Sequence, residues 1–233
     1  MSKSPTLADR LYKARTPSTP EVNDRAKRGL IAYLQAQPDT ARATKDLSDG
    51  TAATGIGRVA LSVLSPQGLA CADGCAFCCI LSGADGGTIT EAEAVGLHTA
   101  LAPLAGQPDG RAWHPKACPS LDPETRSCRA YEARPMICRS YVSTDVEACK
   151  SVSDGQAVPG PGTLGPYHTY LAAIGLTRAT LKGVKRVSTY ALAEVAAAAI
   201  EGGSLDDALA RARHKPAELE AELKRSKRDM SRV

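Results

Sequence analysis

The stretch Cys71-Ala-Asp-Gly-Cys75-Ala-Phe-Cys78-Cys79 places four cysteines within nine residues. The chain has eight cysteines, and the other four are Cys118, Cys128, Cys138 and Cys149. No cysteine lies in the first 70 or the last 84 residues. Thiols that merely fill a core would be scattered along the chain. This confinement therefore indicates that the eight thiols act together on a bound group.

The compartment decides between metal ligation and disulfide formation. Residues 1–15 lack the continuous apolar segment and the small-residue cleavage site of a secretory signal. No apolar run approaches the roughly 20 residues of a membrane-spanning helix. We therefore expect a cytoplasmic protein that is not membrane-bound, in which clustered cysteines are more typical of metal ligands than of disulfides. The disulfide interpretation requires export by a route that the sequence does not show.

Composition favours helices packed through small residues. The 233 residues are 43% hydrophobic and only 4% aromatic, with one Trp and one Phe, so alanine and leucine must fill the core. A β-sandwich would need more aromatic and β-branched residues. The net charge of +4 is too mild to indicate a nucleic-acid partner.

Helical signals precede the cysteines. Thr19 and Pro20 are a helix cap and first residue, and Val22, Ala26 and Leu30 follow at helical spacing. A second helical region is expected over residues 40–64, broken around Gly50 and again by a turn at Gly55-Ile-Gly57.

Further helices are expected within and after the cysteine segment. Thr90-Glu-Ala-Glu93 is a capping box that opens a helix to about Leu101. Later apolar residues at helical spacing predict one continuous helix, with its face formed by Leu181, Val184, Val187, Ala191 and Val195. Ser204 caps a further short helix.

These signals predict a mainly α fold, in which helices flank an irregular cysteine-rich metal-binding core. Any strands should be short, for example a β-hairpin near residues 116–130. Four segments are predicted: an N-terminal helical segment (1–65), a cysteine-cluster domain (66–152), a Pro/Gly linker (153–166) and a C-terminal helical segment (167–233).

The cysteine spacing favours a centre with more than one metal. Cys75 and Cys78 have the two-residue spacer that places two sulfurs on one ion, and Cys71 and Cys75 would share a helical face. Side chains of adjacent residues diverge, so Cys78 and Cys79 would serve two neighbouring metals or two edges of one cluster.

Arginines accompany the later cysteines. We expect Arg134 and Arg139 to neutralise and hydrogen-bond a thiolate-bound centre from outside its ligands. We interpret Arg126 and Arg129 as surface ion pairs with neighbouring glutamates.

Histidines contribute less to the predicted site. His114 lies four residues before Cys118 and is a candidate ligand, but eight thiols already suffice. His98, His168 and His214 are interpreted as surface or core residues. No catalytic arrangement of serine, histidine or cysteine is defined by spacing, so the catalytic residues are unknown and enzyme activity is uncertain.

The cysteines belong to four sequence elements that follow one another along the chain. They are Cys-x3-Cys-x2-Cys-Cys, Cys118-Pro-Ser-Leu, Cys128-x2-Tyr131-x2-Arg134-Pro135-x2-Cys138-Arg139 and a trailing Cys149. This order resembles the YkgJ-type cysteine-cluster family, also described as a CxxCxxCC zinc- or iron-chelating domain. The first spacer here has three residues where the family has two. The resemblance covers about 80 residues and implies that all eight cysteines bind a metal or iron–sulfur centre.

The cysteine pattern and the resemblance leave three functions open. The first is a Cys-ligated iron–sulfur or iron centre for redox or electron-transfer chemistry, with a redox partner protein. The alternative is a structural zinc module, in which the metal supplies folding energy. A third is a metal-dependent enzyme that modifies a protein substrate. It is implied by a neighbouring branch of the family, which resembles flagellin lysine methylases that use S-adenosylmethionine.

Overall fold

The structure is a computed structural model that describes residues 5–64, 67–81, 85–156, 158 and 165–230. Twelve α-helices lie in these described ranges: α1 (Leu7–Lys13), α2 (Pro20–Ala36), α3 (Thr40–Asp49), α4 (Thr51–Leu64), α5 (Glu91–Leu101), α6 (Gly110–Trp113), α7 (Met136–Ser140), α8 (Val146–Ser153), α9 (Gly165–Thr180), α10 (Leu192–Ile200), α11 (Leu205–Ala212) and α12 (Pro216–Met230). Strands β1 (Thr88–Thr90) and β2 (Thr189–Ala191) pair in a two-stranded antiparallel sheet. The predicted mainly α fold is confirmed.

The chain forms two compact units. Unit 1 comprises Met1–Leu64, Gly165–Thr189 and His214–Val233, and unit 2 comprises Ser65–Leu164 and Tyr190–Arg213. All eight cysteines belong to unit 2. Of the predicted Pro/Gly linker, residues 157 and 159–164 lie outside the described residues. Unit 1 thus combines segments from both ends of the sequence.

Helix α9 is the centre of unit 1 and packs against α1, α2, α4 and α12. It is buried continuously from Pro166 to Thr177, as expected for a helix surrounded by others. The cap and apolar face predicted for α2 are confirmed, because Thr19 Oγ1 accepts a hydrogen bond from Val22 N and the predicted face is buried.

The expected turn at Gly55-Ile-Gly57 was wrong. Both glycines lie inside α4, whereas the break predicted around Gly50 is confirmed: α3 ends at Asp49, Gly50 adopts a φ of 87°, and α4 begins at Thr51. A Cβ on Gly29 of α2 would lie 3.1 Å from Ile56, so the absence of a side chain there permits close packing of α2 and α4.

The single helix predicted through residues 181–195 was also wrong. Helix α9 ends at Thr180, Gly183 adopts a φ of 76°, and the chain continues into β2 before α10 begins at Leu192. The β-branched Val187 and Thr189 favour an extended backbone, which overrode the helical spacing.

Unit 2 has its own hydrophobic core. Helices α5, α10 and α11 pack together, and the core includes from them Ala94, Leu97, Leu101, Val195, Ala196, Ala199, Ile200 and Ala212. The capping box predicted for α5 is present. The cysteine-bearing chain packs around this helical core.

The strands are not where the sequence placed them. The sheet joins segments about a hundred residues apart, so it is not a hairpin, and no local turn signal could indicate it. Near residues 116–130 the described residues form only isolated antiparallel bridges, Leu121 with Cys128 and Ala117 with Ile80. None of the helices in the described ranges is both long and apolar enough to cross a bilayer.

Candidate metal centre

The loop that carries Cys71 and Cys75 is held at two points. The Ser143 amide donates to Cys71 Sγ at 3.3 Å, and Ser143 O accepts from Ala70 N at 2.8 Å. Gly74 adopts a φ of 73°, and a Cβ there would lie 2.8 Å from the carbonyl oxygen of Thr125. A glycine is therefore required where this loop meets the turn that precedes Cys128.

Cys78 and Cys79 lie in a 3-10 turn, Phe77–Cys79, which follows the left-handed Ala76. Cys78 is exposed, whereas Cys79 packs against the core of unit 2. Interaction with the Cys79 thiol is the main cause that lowers the pKa of Cys78 to about 7. Interaction with Cys78, followed by burial, raises the pKa of Cys79 well above its ordinary value.

Cys118 is the most deeply buried of the cysteines and forms part of the core itself. Its amide donates to the carbonyl of Cys79 at 2.8 Å, which fixes the 3-10 turn beside it. Burial raises the pKa of the Cys118 thiol, and the Ser120 hydroxyl and amide oppose this effect. The chain then reverses at the predicted turn, where Asp122 Oδ1 accepts from Thr125 N at 2.8 Å, and returns to Cys128.

The Arg-Pro element positions Cys138 through a carboxylate on α5. Glu93 Oε1 accepts from Met136 N at 2.8 Å, at the first residue of α7. Glu93 Oε2 accepts from Thr90 N at 3.0 Å, which completes the capping box of α5. One buried side chain thus caps two helices and fixes the helix that carries Cys138.

Five thiols from four chain segments share one electrostatic neighbourhood, and we call them the thiol cluster: Cys78, Cys79, Cys118, Cys128 and Cys138. Burial, with smaller contributions from Cys118, Cys128 and Cys78, raises the pKa of Cys138 well above its ordinary value. Burial also raises the pKa of Cys128. Burial, with this mutual repulsion, means that Cys79, Cys118, Cys128 and Cys138 hold their protons until a cation replaces them, whereas Cys78 ionises more readily.

Two further cysteines lie around Tyr141. Burial raises the pKa of Tyr141, with smaller contributions from Cys149, Cys78 and Cys71. Cys149 is buried on α8, which packs against the 3-10 turn. Within the described part of the chain, the sulfur of the half-buried Cys75 interacts with none of the other thiols.

The arginines divide differently from the expectation. Arg134 lies near Cys78 and Cys128 and lowers the pKa of both thiols as a secondary cause, and its guanidinium stacks 3.7 Å above the Tyr131 ring. Arg139 Nε donates to the carbonyl of Arg134 at 2.8 Å, which supports the loop.

Arg126 and Arg129 do not form the expected ion pairs. The Arg126 guanidinium lies 5.6 Å from the centre of the Trp113 ring, and Arg129 donates to the carbonyls of Pro108 and Pro119. Arg129 therefore ties the chain near Cys118 to a neighbouring loop.

The histidines have other partners. His98 Nε2 donates to the carbonyl of Gly203 at 2.9 Å, and His114 Nδ1 accepts from Lys116 N at 3.1 Å. In unit 1, His168 hydrogen-bonds Ser226, and His214 lies 4.0 Å from the Glu218 carboxylate.

The donor set fits a thiophilic metal, although the side chains are not yet arranged around one. All eight cysteines are free thiols. Within the ranges that the structure describes, no three Cys, His, Asp or Glu side chains are placed to hold a metal ion. Thiolates are the ligands of iron–sulfur clusters and of structural zinc. Binding therefore requires the thiols to lose their protons.

Sequence reasoning missed two positioning groups. Glu93 was assigned to its own helix cap, but its bond to Met136 spans 43 residues and leaves no local signal. The amide of Ser143 reaches Cys71 across 72 residues. Both contacts depend on tertiary structure alone.

These features define a mainly helical protein with a cysteine-rich segment built on a helical core. Residues 70–155 match the family described as "CxxCxxCC: Putative zinc- or iron-chelating domain", and this confirms the family predicted for the cysteine segment. The match supports metal binding in general, and its description names zinc and iron alike. Searches of curated proteins and of solved structures return no match.

Proposed function

We propose that the cysteine segment binds an iron–sulfur or iron centre that serves redox or electron-transfer chemistry with a partner protein in the cytoplasm. The observation that carries the proposal is the packing of the thiol cluster: Cys118 lies in the core of unit 2, Cys79, Cys128 and Cys138 pack against that core, and Cys78 is adjacent to Cys79. Such a centre supplies one-electron transfer when bound.

The environment of the thiols supports a redox role. The amide of Ser143 donates to Cys71 Sγ, and Arg134 places positive charge near Cys78 and Cys128. Hydrogen bonds to sulfur and nearby charge are the means by which proteins adjust cluster potentials. Cys78 is exposed while Cys118 is buried, so one side of the cluster faces solvent and is accessible to a partner.

The helical core of unit 2 weighs against the structural-zinc alternative. Small zinc modules depend on the metal because they lack a sufficient core. Unit 2 instead buries an apolar cluster from α5, α10 and α11, so the metal is not required to supply all of its folding energy.

Anaerobic purification with absorption, EPR and metal analysis tests the proposal. We expect a coloured protein with iron and acid-labile sulfide, whose visible absorption bleaches on reduction. A colourless protein that holds stoichiometric zinc, even after anaerobic reconstitution with iron and sulfide, would overturn the proposal and favour the zinc module. A redox-inactive iron site would support metal binding but contradict electron transfer.

A further inference from the structure

Unit 1 contains a cavity that is distant in sequence from every cysteine. Its volume is about 780 Å³, within the range typical of small-molecule sites. Its walls come from three segments: the chain after α1, the end of α9 with the loop that follows it, and α12 with the residues before it. All the lining residues belong to unit 1.

The cavity is strongly cationic. Its lining includes five basic side chains: Arg15, Arg178, Lys182, Lys185 and Arg186. The one lining carboxylate, Glu220, pairs with Lys224 at 2.7 Å. Five positive charges against one neutralised carboxylate is an arrangement that attracts an anion.

Backbone carbonyls, rather than carboxylates, hold Arg178 and Arg15. Arg178 donates to the carbonyls of Val187 at 3.2 Å and Pro216 at 3.1 Å. Arg15 donates to the carbonyls of Tyr12 and Ala14. These bonds orient the guanidinium groups and leave their charge uncompensated. Burial, with a smaller contribution from Arg186, lowers the pKa of Arg178, as expected where like charges are crowded.

The hydroxyl of Thr16 belongs to the packing of the wall. Thr16 is only 9% exposed. Its Oγ1 is buried against Gly175 of α9, where an added Cβ would lie 2.2 Å away. Thr16 therefore fixes the chain after α1 against α9, and the charged side chains carry the case for a ligand.

Part of the lining is apolar. Val187, Leu219 and Leu223 form it, and the two leucines are buried on α12. The cavity is too large for a free phosphate ion alone, and its cations line a concave space rather than the extended stripe typical of nucleic-acid binding. A ligand that combines an anionic group with a less polar body fits both parts of the lining.

We propose that this cavity binds a small phosphorylated molecule, with its phosphate against the arginines and lysines and its less polar part against α12. Phosphate is favoured over a single carboxylate because guanidinium groups match its charge and its paired oxygens.

Isothermal titration with three probes tests the ligand class: ADP, adenosine and inorganic pyrophosphate. We expect ADP to bind, pyrophosphate to bind more weakly, and adenosine not to bind. Failure of both ADP and pyrophosphate to bind at up to about 1 mM would overturn the proposal. Binding of adenosine as tight as that of ADP would also overturn it, because the cations would then have no role.

Charge variants test the location. The double variant Lys185→Gln/Arg186→Gln removes two exposed cations of the cavity, and should weaken ADP binding by about tenfold or more. The matched control, Arg28→Gln/Arg58→Gln, removes two exposed cations of the same unit that do not line the cavity. It should leave ADP binding within about twofold. Equal losses in both variants would indicate general charge attraction and refute the site.

Duplex DNA is the competing partner: if it binds with the same dependence on Lys185 and Arg186 while ADP and pyrophosphate do not, the cavity is part of a nucleic-acid surface.

Discussion

In unit 1, α9 is surrounded by α1, α2, α4 and α12, whereas in unit 2 the cysteines lie on turns and short helices beside a helical core. The same local motif has different surroundings in the two units. The capping box of Thr6 and Asp9 on α1 is exposed, and the box of Thr90 and Glu93 on α5 is buried. Helix–helix packing around α9 thus holds unit 1 together, while the cysteine segment of unit 2 is also held by single side chains, such as Glu93, that bond distant parts of the chain.

The largest expected effect is on metal binding in unit 2. Cys138→Ser should lower metal affinity by more than the roughly 10–100-fold that loss of an outer partner costs, because Cys138 is central to the thiol cluster. Ser140→Ala, on the same helix, is the matched control and should retain the metal. Metal analysis after anaerobic reconstitution measures both, and equal retention would show that Cys138 is not a ligand.

The adjacent pair sharpens this test. Cys78→Ser and Cys79→Ser should each lower bound metal, because adjacent thiols are expected to occupy different ligand positions. Full metal occupancy in the double variant would end the case for a polynuclear centre built on this pair.

The second expected effect is on the free energy of unfolding. Glu93→Ala should destabilise the protein by about 2–3 kcal/mol, because it leaves the buried amides of Thr90 and Met136 without their acceptor. Asp9→Ala removes the equivalent residue from the exposed box of α1 and should cost clearly less. Urea unfolding measures both, and a larger loss for Asp9→Ala would reverse the comparison.

Alanine substitutions at two helical glycines of unit 1 distinguish the effect of tight packing on stability from the effect of helix propensity. Gly175→Ala places a Cβ 2.2 Å from Thr16 Oγ1 and 3.0 Å from Leu223, and should destabilise by about 1–3 kcal/mol. Gly55→Ala on α4 meets nothing within 4 Å and should stabilise by up to about 1 kcal/mol. Thermal unfolding distinguishes them, and a stabilised Gly175→Ala would mean that α9 is less tightly packed than described.

The smallest expected effect is a pH dependence in unit 1. Burial lowers the pKa of His168, which hydrogen-bonds Ser226. The unfolded chain therefore takes up this proton at a higher pH than the folded protein, so the stabilising contribution is complete above the unfolded pKa of about 6.5 and is lost as the pH falls below it. His168→Gln should flatten the rise in stability from pH 5 to 7.5, whereas His114→Gln should preserve it. Identical slopes in the wild type and in His168→Gln would remove His168 as the cause.

The sequence was most informative where a structural rule is local. The cap at Thr19, the buried face of α2 and the box at Thr90 all follow from residues within one or two turns of each other, and the structure confirms them. The cysteine family was predictable because its elements occur in order.

Predictions from local sequence rules were wrong where tertiary packing determines the secondary structure. Gly55 and Gly57 looked like a turn, but the surrounding helices hold them in α4. Helical spacing from Leu181 to Val195 was misleading because Gly183 and the pairing of β2 with β1 break the helix. The roles of Glu93 and Ser143 depend on contacts across many residues, which no local pattern carries.

The native thiols of unit 2 differ in solvent exposure, so their reactivity can be used to follow local unfolding of that unit. Cys71 and Cys78 are exposed, Cys75, Cys79, Cys128 and Cys138 are half-buried, and Cys118 and Cys149 are buried. The order in which a small alkylating reagent modifies them in the metal-free protein therefore reports how the fold loosens, without an added label. The reagent should reach Cys118 last, since its modification requires the core itself to separate.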